Sequence, residues 1–374
     1  MRIKNKGLLA RLAVLVAVLI ATVLLLSGCL GGTRLLGWSG AAISGDSVFF
    51  GSMDGRLIAY FLENGNPKWQ APLQSGSVGG TGGCAGPSAA VGIYGTPVIY
   101  EDAVFVTAYT GNVYALVAET GQPRWTFPGD GFLSPVIGGV AVAGGVVFFG
   151  TSDGEIYALD TATGDQLWKT SVGDKIWATP VIDDGILYIG SFDKNFYAID
   201  TADGGILWQF TAGGGFNSTA LVEGGTVYAG SLDRSLYAID ASNGSQLWRF
   251  EGGNWFASKP VLYNGVVYAA NFDGSLYAID AADGSQVAVF DLGSPAASAP
   301  VVVGGLIVAA ADDGQLFVID GETRAMNSLI DLEVRLLSPL SSDGSLVYVH
   351  TQENETLFAI NPETRTIVWQ RLVQ

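Results

Sequence analysis

Residues able to drive acid–base or covalent chemistry are few in this 374-residue chain, and they do not cluster. The single histidine, His350, lies in the run SLVYVH without the companions that a zinc site or a Ser-His-Asp triad requires. The two cysteines, Cys29 and Cys84, cannot build a disulfide framework or a thiolate metal site. Carboxylates do recur. Asp160, Asp200, Asp240, Asp280 and Asp320 each close an aliphatic-aromatic run, and Asp54, Asp153, Asp193, Asp233, Asp273 and Asp313 each open a tight turn. A group repeated at fixed offsets through a chain is a building unit before it is a catalyst. A carboxylate at the end of a strand accepts backbone N–H groups of the next turn. Gly164, Gly204, Gly244 and Gly284 close those turns, where a positive φ is needed.

The elements that carry these residues follow from the repeat. A turn residue, an alternating apolar strand, Asp, a turn and a Trp recur with fourteen positions from first to last, from Gly55 to Trp69, Gly111 to Trp125, Gly154 to Trp168, Lys194 to Trp208 and Arg234 to Trp248. Three further units keep the spacing: Gly274 to Ala288, Gly314 to Ser328 and Glu355 to Trp369. Upstream of each lie two more short apolar runs split by Gly and Asp turns, with a period of two and no sustained helical period. Each unit is therefore expected to be a four-stranded antiparallel meander. Eight such units, each unable to cover both its faces alone, predict an all-β, eight-bladed β-propeller over residues 38–374. In that ring Trp69, Trp125, Trp168, Trp208, Trp248 and Trp369 sit on outer strands and dock against the neighbouring blade.

Three other tryptophans fall elsewhere. Trp38, Trp177 and Trp255 lie where one blade crosses to the next, joined by Tyr94, Phe132 and Phe216 at or near equivalent positions. Two readings stay open for this set. The aromatics plug a crowded hub, or they ring a funnel mouth fitted to a peptide, sugar or cationic ligand. For the aspartates beside them, turn chemistry is a sufficient explanation. The spacing from Trp69 to Trp125 is 56 residues, longer than elsewhere, through the Gly-rich stretch QSGSVGGTGGCAGPSAAVGIYG that contains Cys84. It reads as a tolerated surface insertion, or as a lid or docking arm over the mouth.

The N-terminus reads as an export signal. Arg2, Lys4, Lys6 and Arg11 precede an apolar run from Leu12 to Leu26 that is short of the roughly 20 residues of a membrane span. Leu26-Ser27-Gly28-Cys29 resembles a bacterial lipobox. That resemblance implies a signal peptide at 1–28, a diacylglyceryl anchor on Cys29 and a short linker at 29–37; a retained transmembrane helix is the competing reading. Removal of the signal takes four cations and no acid, moving the net charge from −17 to −21. Nucleic acid and anionic headgroups are then poor partners.

The series ALDTATGDQLW, AIDTADGGILW and AIDASNGSQLW resembles the tryptophan-docking motif of the PQQ-type repeat propellers, over about nine tenths of the chain. Two branches of that family differ in function. One is the quinoprotein dehydrogenases, which hold PQQ with calcium or a lanthanide on the axis and oxidise alcohols or sugars. They bring adjacent paired cysteines, an acid-and-amide ligand set and a catalytic Asp, and this chain has no adjacent Cys pair. The other is the BamB branch, lipid-anchored and non-enzymatic propellers of outer-membrane β-barrel assembly. Lipobox, length and compact blades agree with the second branch, which implies no cofactor, envelope proteins or peptides as partners, and a monomeric propeller within a complex. It also implies a place on the periplasmic face of the outer membrane. In a single-membrane cell the same anchor places the ring on the outer face of the cytoplasmic membrane. A PQQ- and Ca-dependent dehydrogenase, or a sensor of small envelope ligands, is the alternative.

Overall fold

Short apolar runs that alternate in burial and are split by Gly and Asp turns can satisfy their backbone groups only by pairing with one another. In the computed structural model, which describes residues 39–73 and 92–373, they do so in eight sheets. Each sheet takes four consecutive strands in sequence order, all antiparallel: residues 42–72, 98–127, 141–171, 181–211, 221–251, 261–291, 301–331 and 341–372, blades one to eight here. No helix occurs among the described residues. The fold is an eight-bladed β-propeller. Cys29, Trp38 and Cys84 lie outside the described residues, as does most of the Gly-rich stretch.

Blade five shows the local logic. Its strands are Leu221–Glu223, Thr226–Gly230, Ser235–Asp240 and Gln246–Glu251. The two central strands are almost wholly buried, because blades cover both of their faces, whereas the fourth strand exposes alternate residues at the rim. At the end of the third strand the Asp240 Oδ1 accepts the Ser242 N–H at 2.8 Å, and Asp160, Asp200, Asp280 and Asp320 make the same turn contact.

Blade-to-blade contact repeats around the ring. The indole Nε1 of Trp69, Trp125, Trp168, Trp208 and Trp248 donates to a carbonyl of the following blade, in turn Ala118, Thr161, Thr201, Ala241 and Ala281, each at 2.9 Å. Trp369 in blade eight donates to Leu62 of blade one at 3.0 Å, so the same device joins the eighth blade to the first. Opposite each of these indoles on the third strand stands an alanine, as Ala238 stands opposite Trp248, which leaves room for the ring. Blade seven departs: Val318 replaces that alanine, and the bulge moves so that Ser328 pairs with Phe317. Blade six puts Ala288 at the docking position, and Tyr263 from its own first strand packs on Gly321 of blade seven instead.

Candidate functional site

Fourth strands end, and second strands turn into third strands, on one face of the ring. Every crossover therefore lies beside a second-to-third-strand turn. In three of these turns the carboxylate binds the crossover down. Asp193 Oδ2 accepts the Gly173 N–H at 2.9 Å and the Tyr197 hydroxyl at 2.6 Å, while Oδ1 accepts the Asn195 N–H. Asp233 repeats this with Gly213, Tyr237 and Ser235, and Asp273 with Gly253, Tyr277 and Ser275. Burial works against the Asp233 carboxylate, but these hydrogen bonds outweigh it and hold its pKa below the usual value. Burial and the Asp193 carboxylate push the Tyr197 phenol up to about 12. These acids are engaged in the scaffold, as the turn reading expects, and the tyrosine four residues on was not anticipated.

The aromatics of the same face divide. Trp177 is 36% exposed and meets Phe192 edge-on, with the Lys175 ammonium 5.0 Å from the Trp177 ring and 4.6 Å from Phe192. Trp255 is 47% exposed and lies against Phe272; partly buried Tyr94 lies against Tyr109. Phe132, 67% exposed, stands in the crossover between blades two and three. All four are on the crossover face.

Phe216 is a correction. It is fully buried, enclosed by Phe196, Phe210 and Tyr237, and belongs to the core and not to the mouth. Its equivalents are Ile176 and Phe256, which press on Gly150 and Gly230 of the preceding blades as Phe216 presses on Gly190. Trp177 follows this plug by one residue and Trp255 precedes it by one, so the aromatics of the set among the described residues do not share one position.

Other groups near the axis were not read from the sequence. Asp312 and Gln352 stand where Phe192 and Phe272 stand in their blades, and each accepts a backbone N–H, from Ala297 and Leu337. Burial raises the Asp312 pKa. Asp312 Oδ1 is turned to the backbone, and no group of three acids, histidines or cysteines able to hold a metal is found among the described residues.

Comparison with known proteins agrees with the ring. A BamB from Salmonella typhimurium is 36% identical over 96 residues, 24% of this chain and 24% of that protein, so this match spans about a quarter of the relative. A polyvinylalcohol dehydrogenase from Sphingopyxis sp. is 40% identical over 86 residues, 22% of this chain and 13% of that protein. The crystal structure of BamB from Moraxella catarrhalis superposes with a TM-score of 0.70 at 20% identity, covering 83% of this chain and 93% of that one, a likeness of fold. The family model described as outer membrane protein assembly factor BamB matches residues 29–138, 111–221, 211–323 and 273–374. With these overlapping matches running from Cys29 to the last residue, the chain belongs to the outer membrane protein assembly factor BamB family.

Proposed function

We propose that the chain is a non-enzymatic binding propeller, anchored through an acylated Cys29, that uses its crossover face as a scaffold for envelope proteins or peptides in outer-membrane protein assembly. The observation that carries this reading is the exposure of Trp177, Trp255 and Phe132 on one face whose neighbouring carboxylates Asp193 and Asp273 are already bound to backbone and tyrosine. Large apolar rings left open beside saturated polar groups favour contact with another chain over acid–base chemistry. The lipobox at Cys29 and the family membership support placement at the membrane, on the periplasmic face of the outer membrane where a cell has two.

The test is capture of cross-linked β-barrel assembly components from native membranes by the full chain and by the Trp177→Ala/Trp255→Ala double variant. Reduced capture with unchanged melting is expected; equal capture rejects the face. The match to a polyvinylalcohol dehydrogenase favours the quinoprotein alternative as the second reading. Adding PQQ and Ca²⁺ with an alcohol and a dye acceptor tests it, and sustained dye reduction would establish an enzyme.

A further inference from the structure

Alternate residues of each crossover and first strand face the propeller axis. Through 176–180, 216–220, 256–260, 296–300 and 336–340 the first, third and fifth residues are buried between blades, and the second and fourth are more open. Those open positions form two tiers around a channel. Neighbouring residues of the deeper tier approach closely: a Cβ on Gly40 would stand 2.6 Å from Thr96 Oγ1 and 2.7 Å from Pro339 Cγ, and Thr179 Oγ1 accepts the Gly139 N–H. This tier is built from Gly, Ala, Pro and Thr in seven blades, and in blade six it places Lys259. The next tier toward the far face, the opening residues of the first strands, is aliphatic apart from Ser341.

Lys259 is thus a cation in an otherwise uncharged stretch of the channel, with no carboxylate in contact among the described residues. Burial pushes its pKa down, and no neighbouring acid offsets this. Lys259 is only part-buried, and a part-buried ammonium with no counter-charge beside it in an uncharged channel is a place where an anion gains. One tier nearer the mouth, in adjacent blade five, Asn217 also faces the channel, and its buried Oδ1 has no hydrogen-bond donor. A cation lacking an anion and an acceptor lacking a donor, one tier apart in adjacent blades, match the last residue of a peptide, which offers a carboxylate and its own N–H.

We propose that the axial channel binds the C-terminal residue of a peptide, its carboxylate on Lys259 Nζ and its N–H on Asn217 Oδ1, with the preceding residues leaving past Trp177 and Trp255. This rests on the crossover face being the binding face. A free organic acid shares the carboxylate chemistry but lacks the N–H, and that difference separates the two sources.

Isothermal titration of the full chain at pH 7 with acetyl-Gly-Gly-Phe, with its C-terminal amide and with acetate provides the test. The free acid is expected to bind about tenfold or more tightly than the amide; Lys259→Met should remove the difference and Lys259→Arg keep most of it. Asn217→Ala should weaken the peptide acid and leave acetate unchanged. Acetate binding as tightly as the peptide would overturn the peptide in favour of a small acid. Equal binding of acid and amide, an unaffected Lys259→Met variant that melts like the parent, or no heat with any probe overturns the site itself. None of these results touches the capture experiment, which fails or succeeds on Trp177 and Trp255.

Discussion

Gly244 of blade five lies under the indole of Trp208 of blade four, so close that a Cβ would stand 2.7 Å from Cε3. The same contact joins Gly65 to Trp369, Gly121 to Trp69, Gly164 to Trp125, Gly204 to Trp168 and Gly284 to Trp248. Blades six and seven lack the indole, having Ala288 and Ser328, and the residues that face those positions in the following blades are Arg324 and Arg365, at φ of 60° and 57°. The left-handed turn alone therefore tolerates a side chain. The indole is what excludes one.

That distinction gives unequal expectations for two alanines at similar φ. Gly244→Ala should cost about 2–4 kcal/mol, because backbone strain adds to displacement of a packed ring. Gly225→Ala, at φ of 76° and with nothing within 4 Å of the added Cβ, should cost only about 1 kcal/mol. Urea unfolding of the two variants measures the contrast, and equal losses would mean that φ, not the indole, sets the requirement.

The crossover face should likewise separate into core and surface. Phe216→Ala removes a fully buried ring and should cost about 3–5 kcal/mol. Trp255→Ala, at 47% exposure, should cost about 1 kcal/mol or less. Comparable losses in the two unfolding curves would place Trp255 in the core and remove it from any binding face.

Ring, blade count and docking residues were legible in the sequence because Asp, Gly and Trp act locally at fixed offsets and recur in register. The mouth was less so. Which crossover residue faces the axis depends on a period of two, and a shift of one residue reverses it. Aligning by aromatic residues put Phe216 beside Trp177; aligning on the strand starts at Val181, Leu221 and Val261 puts Phe216 with Ile176 and Phe256. Within the same frame Lys259 falls on the axis with Thr179. The Asp-x-x-x-Tyr spacing of 193–197, 233–237 and 273–277 was visible too, but only the fold brings the crossover amide to the same carboxylate.

Those tied carboxylates should matter to the fold. Asp233→Ala leaves the Gly213 and Ser235 N–H groups and the Tyr237 hydroxyl without their acceptor, and should lower stability by about 2–3 kcal/mol. Hydrogen exchange at Gly213 should rise in the variant. Unchanged exchange would show that the crossover is held by its plug residue alone.

Acid should act through His350 before it acts through the aspartates. The ring is completely buried between blades eight and one, 4.9 Å from Phe50. Its Nδ1 lies 3.1 Å from the Ser39 carbonyl, an acceptor, so Nδ1 carries the proton in the neutral ring and the unpartnered Nε2 is bare. A second proton would place a charge in apolar surroundings, and burial lowers the pKa from 6.5 to about 4. The unfolded chain then binds the proton first. Stability is full above pH 6.5 and falls as pH drops from there through about 4, by about 3 kcal/mol in all. Asp54, Asp233 and Asp343 have pKa values below 3.8 in the fold, so their contribution is lost at still lower pH. His350→Gln removes the titrating group from the upper window. Urea midpoints at pH 7, 6 and 5 should decline in the parent and stay nearly level in this variant; parallel declines would assign the acid sensitivity to carboxylates instead.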